Sequence, residues 1–383
     1  MRVCCGMCAD GQKLMLAKFT KMLFPPKEII GIDIGNFAVK LVCFVEDKKG
    51  ITLKDWGTIP LVIKNDVPPE EKKAIISGEI KNYLKKKGIE ARRAAASVSG
   101  NSVIVRYVKL PKLSRKELSL TINVEAEPFI PFDINDVSLT YSILNDVTEE
   151  GEAKMETVLV AAKKESVRDK IDVLEEAGLD PVIVDVDSFA LEALYARLVP
   201  AADNSSVLFL NIGQKVTNLS IVTQGVTRVV RDIFIAGATF DKAIAKALKT
   251  DAGTAAAAKK THSLLVSDED KEAAIEGFSK EGILVSRAAA GVLRDLYTEV
   301  SRSIDFYLSQ GVDHSIAKIM VSGGMANLGN IAAFLSGEFK VPVEITNPMA
   351  FLSEQPKNIP KDVLPSLAVA TGLALRKFED WEA

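Results

Sequence analysis

The chain has 383 residues, 48% of them hydrophobic and 26% charged, which is ordinary for a globular protein and long enough for more than one core. A formal net charge of -3, with no basic stretch interleaved with aromatics, gives no field that would make nucleic acid the main partner. No apolar run approaches the roughly 18–20 residues that span a bilayer, and the low cysteine count with no secretory leader points to a reducing cytoplasm.

Residues 1–27 precede the first strand and read as an extension. Within them, KLMLAKFTKMLF over 13–24 sets Leu16, Phe19, Met22 and Leu23 on one helical face, with Lys13, Lys18 and Lys21 elsewhere. That pattern suits either a short basic helix resting weakly on an anionic membrane surface or a disordered tail. Cys4, Cys5 and Cys8 supply three thiols, but a closed zinc site needs four ligands, and neither His262 nor His314 is placed by sequence to complete one.

The next stretch, IGIDIGNFAVKLV over 30–42, has the form of a strand, a glycine turn with one carboxylate, and a second strand that continues through Cys43, a small core residue. A tight hairpin containing Gly35 and Asn36 leaves backbone N–H groups pointing outward, a concavity suited to phosphate. Asp33 beside such a nest needs a cation between itself and the anion. This points to Mg²⁺ held through water by Asp33, with Lys40 as a further positive charge. A plain strand end and turn would satisfy the same residues.

A third strand is expected at 51–60, an amphipathic helix at 68–87 ending at Gly88, and strands at 94–98 and 102–110. After Pro111 a helix over 113–127 has Ser114 as N-cap and Glu117 as its capping-box acid. A proline-bounded corner at 128–132, strands at 137–144 and 157–162, a helix at 165–177, a strand at 182–186 and a helix at 188–199 follow. The block 111–187 reads as an α+β insertion in the first lobe.

Beyond a polar boundary at 201–206, VLFLNIGQKVTNLSIV over 207–222 repeats the opening motif: Asn211 falls on Asp33, Gly213 on Gly35, Thr217 on Val39 and Asn218 on Lys40. A repeat so widely separated suggests two related lobes whose glycine hairpins grip the same phosphates. The meander continues over 226–235. Helices are expected at 239–249, 268–278 and 286–308, with an alanine-rich segment at 251–260. The longest helix carries Val292, Leu296, Val300, Ile304 and Leu308 as a core face. A strand at 316–321 then runs into Gly323, Gly324 and Met325, where paired glycines let a flat ring approach the backbone.

Two Asp-x-Gly-type hairpins and a late strand-Gly-Gly turn resemble the actin-like ATPase superfamily. GIDIGNFAVKLV, VKLPKLSRKEL, VLVAAKKESVRDKIDVLEEAGLDPVIVDVDSFAL, RDIFIAGATFDKAI and IMVSGGMANLGNIAAFL are similar to the PilM family of type IV pilus assembly proteins within it, over residues 29–378. The resemblance implies a two-lobed actin-like fold, duplicated and ribonuclease-H-like, with an FtsA- or PilM-type α+β subdomain inserted in the first lobe. The implied boundaries are an extension at 1–27, a first-lobe subdomain at 28–110, the insertion at 111–187, and a second lobe at 188–383 whose last helix returns to the first.

ATP and Mg²⁺ are the implied cofactors. Asp33, Gly35, Asn36 and Lys40 are placed at the first phosphate loop, and Asn211, Gly213, Gln214, Thr217, Asn218 and Gly237 at the second. Lys259 is placed as the basic member of a ribose motif, and Gly323, Gly324 and Met325 at the adenosine. Two departures stand out. Asn211 occupies the usual aspartate position and cannot supply its charge, which puts hydrolysis in doubt. Ala256 stands where the ribose motif usually has glutamate.

The implied role is a cytoplasmic ATP-binding scaffold, peripheral at the inner membrane through its partners. It would dock the N-terminal cytoplasmic tail of a PilN-like membrane protein in a groove near the insertion and meet other pilus assembly proteins, with nucleotide favouring one conformation. Two other functions share the fold. A phosphotransferase would need a carboxylate base beside a substrate hydroxyl, which no residue here identifies. An FtsA-like polymer-forming adaptor would end in an amphipathic membrane helix, where this chain reads ALRKFEDWEA.

Overall fold

The structure is a computed structural model that describes residues 28–47, 50–63, 67–149, 151–199, 205–277, 279–309 and 315–376. The expected basic helix over 13–24, Cys4, Cys5, Cys8 and the chain's last residues lie outside the described residues. The chain forms two compact units. One runs up to Ile34, resumes over Ala38–Ala190 and again from Gly372; the other takes Gly35–Phe37 and Leu191–Thr371.

In the first unit β1 (Ile30–Ile34), β2 (Ala38–Asp47) and β3 (Gly50–Pro60) form an antiparallel meander. Helix α1 (Pro69–Lys87) leads to β4 (Arg93–Val98), which lies parallel to β1. The β-branched run fits this place because Ile30 and Ile32 are fully buried, with Leu41, Ala94 and Ala96 beside them and Ile76, Ile80 and Leu84 of α1 packed on top. Helix α1 ends at Gly88, whose φ of 66° only glycine adopts freely and whose N–H reaches back to the last turn.

Strand β5 (Val103–Pro111), helix α2 (Arg115–Ala126), β6 (Val137–Glu149) and β7 (Glu152–Lys163) form a separate antiparallel sheet ordered β5-β7-β6. The Ser114–Glu117 capping box forms with both reciprocal hydrogen bonds. At the proline corner Ile130 is buried and the Lys163 ammonium sits 4.9 Å from the Phe132 ring centre, so the corner is a packed element.

Helix α3 (Lys164–Glu176) and β8 (Asp180–Val186) return to the first sheet, with β8 parallel to β4, giving the order β3-β2-β1-β4-β8. The separate sheet therefore begins ahead of the expected boundary at 111, and the last part of the expected 111–187 segment pairs with the first sheet. Pro111 misled because it sits at the very end of β5, where a missing N–H is tolerated, and not at a subdomain border.

Helix α4 (Asp187–Leu198) carries the chain into the second unit. There β9 (Ser206–Ile212), β10 (Thr217–Thr223) and β11 (Val226–Ile233) form a second antiparallel meander. Helices α5 (Gly237–Leu248), α6 (Ala252–Thr261), α7 (Asp268–Glu276) and α8 (Lys280–Ser309) follow, then β12 (Ile316–Ser322), α9 (Ile331–Phe339), β13 (Val343–Ile345) and α10 (Ala368–Ala374). The sheet order is β11-β10-β9-β12-β13, with the last two strands parallel to β9. Both units thus share one topology, a three-strand meander followed by two parallel strands. Val292, Leu296 and Val300 of α8 pack on Leu208, Leu210, Leu219 and Ile221, as their spacing demands, while Leu308 near the helix end is exposed.

Helix α10 brings the chain back to the first unit, where Gly372 lies so close to the Ala190 carbonyl that a Cβ would overlap it. The Arg376 guanidinium then meets the Asp185 carboxylate at 2.6 Å, with the Asp185 side chain 1% exposed. Burial raises the Asp185 pKa, and the guanidinium opposes this. Arg376→Ala would strand that carboxylate, and guanidinium chloride denaturation should show a loss of about 3–5 kcal/mol. An unchanged midpoint would mean that packing around Gly372 alone holds the chain end.

Candidate functional site

In the first unit Asp33 on β1 stands directly across from Lys40 on β2, a pairing set by the hairpin register. Their side chains meet at 3.0 Å, each about a fifth exposed. Gly35 and Asn36 follow at once, with Asn36 exposed. Two further residues gather on the first-unit side, both inside the quoted stretch over 158–191 but given no role by it. Lys170 of α3 donates from Nζ to the Ile34 carbonyl at 3.2 Å. Asp187, the first residue of α4, accepts from the Ser97 hydroxyl at 2.5 Å. Burial lowers the Lys170 pKa, while the charges of Asp187, Asp33 and Asp169 act to raise it.

In the second unit Asn211 stands across from Asn218, the same register that pairs Asp33 with Lys40. Charge has become amide. Asn211 donates from Nδ2 to Asn218 Oδ1 at 3.0 Å, and Asn218 donates to the Asp232 carboxylate at 2.8 Å. On the other side the Ser322 hydroxyl donates to Asn211 Oδ1 at 3.2 Å. A polar chain thus crosses four strands, β12, β9, β10 and β11. It is nearly closed to solvent, since Ser322, Asn211 and Asn218 are all buried.

The hairpin turn itself is fixed by the Gly213 N–H bonding to Val216 O at 3.0 Å. Gln214 donates to Asp241 Oδ2 at 2.9 Å, and Lys259 pairs with Asp241 Oδ1 at 2.6 Å, both members of that pair about nine-tenths buried. Gly237 is the seat of the Gln214 amide: a Cβ there would overlap Gln214 Oε1. The amides of Gly237 and Ala238 donate to the carbonyls of Gly213 and Gln214 at 3.0 and 2.8 Å, so the start of α5 is spent on the hairpin. Thr217 is buried and donates to Ile235 O at 2.7 Å.

At the strand-Gly-Gly turn, Gly323 has a φ of 86° and lies against Ile212, whereas a Cβ on Gly324 would meet open space. The Met325 side chain is buried in the core of the second unit. Of the residues expected from sequence, the structure therefore brings together Asp33 with Lys40, Asn211 with Asn218, and Gly213 and Gln214 with Gly237 and Lys259. It turns Thr217 and Met325 inward. It adds Lys170, Asp187, Asp241, Asp232 and Ser322, all distant in sequence from the motif residues they serve.

The donor set can be tested against the expected cofactors. In the first unit, lysine ammonium groups at the loop suit a phosphate-bearing ligand. Asp33, the carboxylate expected to hold Mg²⁺ through water, is paired with Lys40, and Asn211, in the equivalent place of the second unit, is neutral and committed to Asn218.

Comparison with known proteins gives three findings. The profile of the family described as type IV pilus assembly protein PilM matches residues 31–378. A solved structure described as a PilM-PilN type IV pilus biogenesis complex is similar with a TM-score of 0.76 and 28% identity, over 92% of this chain and 99% of that one. The ethanolamine utilization protein EutJ from Carboxydothermus hydrogenoformans is similar in fold, with a TM-score of 0.51 and 14% identity over 92% of this chain and 90% of that one.

Proposed function

The chain belongs to the PilM family of type IV pilus assembly proteins, with an actin-like α/β fold, and from that premise we propose that it is an ATP-binding scaffold that docks a PilN-like partner. The observation that carries this reading is the likeness to the PilM-PilN complex along almost the whole length of that chain. The partner's N-terminal cytoplasmic tail seats near the inserted sheet, and the scaffold stays peripheral at the inner membrane through it, joined by other pilus assembly proteins. No helix among the described residues is long and apolar enough to cross a membrane.

ATP is the ligand, with Lys40 a phosphate contact of the first unit and the open backbone at Gly324 a place in the second unit that a flat ring could approach. ATP supplies a conformational ligand that favours one state of the scaffold by its differential affinity. Binding without turnover is supported by Asn211, whose amide can accept and donate hydrogen bonds but cannot orient a water as a carboxylate does.

The test combines three measurements on the full chain: melting with ATP, phosphate release, and fluorescence anisotropy of a labelled PilN-type tail peptide. ATP at about 100 times its dissociation constant should stabilise the fold by about 2.7 kcal/mol. Phosphate release should stay at background and the peptide should bind. Brisk phosphate release would replace the scaffold with an enzyme, and a tail that fails to bind with or without ATP would remove the docking role.

A further inference from the structure

The end of α5 and the first turns of α6 and α8 bound a cleft of about 730 Å³ in the second unit. Leu248, Lys249 and Thr250 line it from α5 and the turn after it, and Lys280, Glu281 and Leu284 from the start of α8. The two leucines are half-buried and give the cleft an apolar part, while both lysines are exposed. Among the described residues it shares no lining residue with the phosphate and adenosine positions above, so it is a separate feature of the surface.

The charges of the cleft do not cancel. Glu281 lies 3.4 Å from His262 Nε2. Asp251, next to Thr250 in the chain, spends its carboxylate on the start of α6, accepting from the N–H groups of Gly253 and Thr254 at 2.7 and 3.0 Å and from the Thr254 hydroxyl at 2.7 Å. Lys249 and Lys280 have no ion pair or side-chain hydrogen bond among the described residues. One free lysine on a surface is ordinary. Two that share a cleft with leucine side chains select an occupant with acids set around an apolar side chain. The chain has such a segment: residues 377–383, outside the described residues, read KFEDWEA, with Trp381 between Asp380 and Glu382 and with Glu379 just before them. An indole offers broad apolar area to the leucines and an N–H to an acceptor such as the Thr250 hydroxyl. The segment follows Arg376, which is held by Asp185 in the first unit, whereas the cleft belongs to the second. Segment and cleft thus sit on different units, which suits a contact passed from one copy to the next.

We propose that the cleft between Lys249 and Lys280 docks the acidic segment around Trp381 of a second copy of this chain, so that the protein self-associates head to tail. The contact is heterologous: each copy that gives its segment keeps its own cleft open, so growth leads to a row or a ring of copies and not to a two-fold dimer. A segment of a few residues covers far less than the roughly 1,600 Å² of a standard interface, and its charges are at the surface. The association is therefore weak and falls with salt.

The experiment is sedimentation velocity on the full chain at rising concentration, in low and in high salt. The natural chain's mean sedimentation coefficient should climb with concentration in low salt and stay flat in high salt. Reversing the cleft with Lys249→Glu and Lys280→Glu should weaken association by about tenfold or more, and so should reversing the segment with Glu379→Lys, Asp380→Lys and Glu382→Lys. Trp381→Ala should weaken it with every charge in place. An equal mixture of the two reversed chains should associate again, because each reversed cleft then meets a lysine-bearing segment and each natural cleft an acidic one. Unfolded chains could not produce that recovery. A natural chain that stays monomeric at every concentration in low salt overturns the proposal, even if its cleft binds a labelled acidic peptide of unrelated sequence, since the cleft would then serve another protein's segment. Association that survives either reversal overturns it too, as does a mixture that stays monomeric although both reversed chains melt like the natural one.

Discussion

Gly323→Ala should destabilise the second unit by several kcal/mol and abolish nucleotide binding, while Gly324→Ala, one residue on, should leave the fold intact. The difference is geometric. Gly323 adopts φ 86° and ψ 175°, a region open to glycine alone, at a cost of about 1–3 kcal/mol for any other residue. A Cβ there would also overlap the Ile212 carbonyl oxygen and lie 2.7 Å from its carbon and 2.9 Å from its nitrogen. Those are backbone atoms of β9, a central strand, and they cannot give way as a side-chain tip could. Relief would have to come from β12 or the turn, at the expense of the Gly323 N–H bond to Pro365 O at 2.8 Å.

Gly324 has no neighbour within 4 Å of an added Cβ, so its methyl group costs the fold nothing. If a ring approaches the backbone there, the methyl instead blocks the ligand. Urea denaturation and ATP titration on the two variants separate the roles. Equal stability losses would mean that both glycines serve the turn, and full ATP affinity in Gly324→Ala would remove the ring from this place.

The parts of the site that lie on one hairpin were legible in the sequence, because a strand, a turn and a strand fix their own register. The spacing from Asp33 to Lys40 equals that from Asn211 to Asn218, and both pairs face each other across their strands. The duplicated sheet order was legible for the same reason. What arrives from elsewhere in the chain was not. Lys170 lies in a helix whose apolar positions announce only its buried face, Asp187 looks like a routine first-turn acid, and Asp241 looks like a polar face of α5. Only the packing of α3, α4 and α5 brings these charges to the loops. Met325 and Thr217 went the other way. A long apolar side chain after a strand and a β-branched residue at a strand's start are both as well used by the core as by a ligand, and the core took them.

Asn211→Asp, the substitution that restores the usual residue of this motif, should not restore hydrolysis and should cost about 3 kcal/mol of stability. The reason lies in the direction of the buried polar chain. Asp232 only accepts, so Asn218 must turn its N–H toward Asp232 and its carbonyl toward Asn211. Position 211 must therefore donate. An amide does, and an ionised carboxylate cannot. The introduced acid would face the Asn218 carbonyl at about hydrogen-bond distance, or else Asn218 would turn and set that carbonyl against Asp232.

The first arrangement favours the protonated form of the introduced acid, so there its pKa in the fold rises above the ordinary value of about 3.9, and the second moves the same demand for a proton to the Asp232 end of the chain. A carboxyl group raised in the folded state destabilises once pH climbs through the unfolded value and on to the folded one. The deficit against the natural chain should therefore be small near pH 4, where the O–H donates as the amide does, and full at pH 7 or above. Adding Asp232→Asn gives the far end of the chain a donor, lets Asn218 reverse, and should return most of the lost stability at pH 7. Denaturation of the single and double variants at both pH values, beside a phosphate-release assay, checks each step. An Asn211→Asp chain as stable as its parent at pH 7 would show that Asn218 does not transmit the constraint, and one that releases phosphate briskly would show that a single charge was all that kept this site from cutting what it holds.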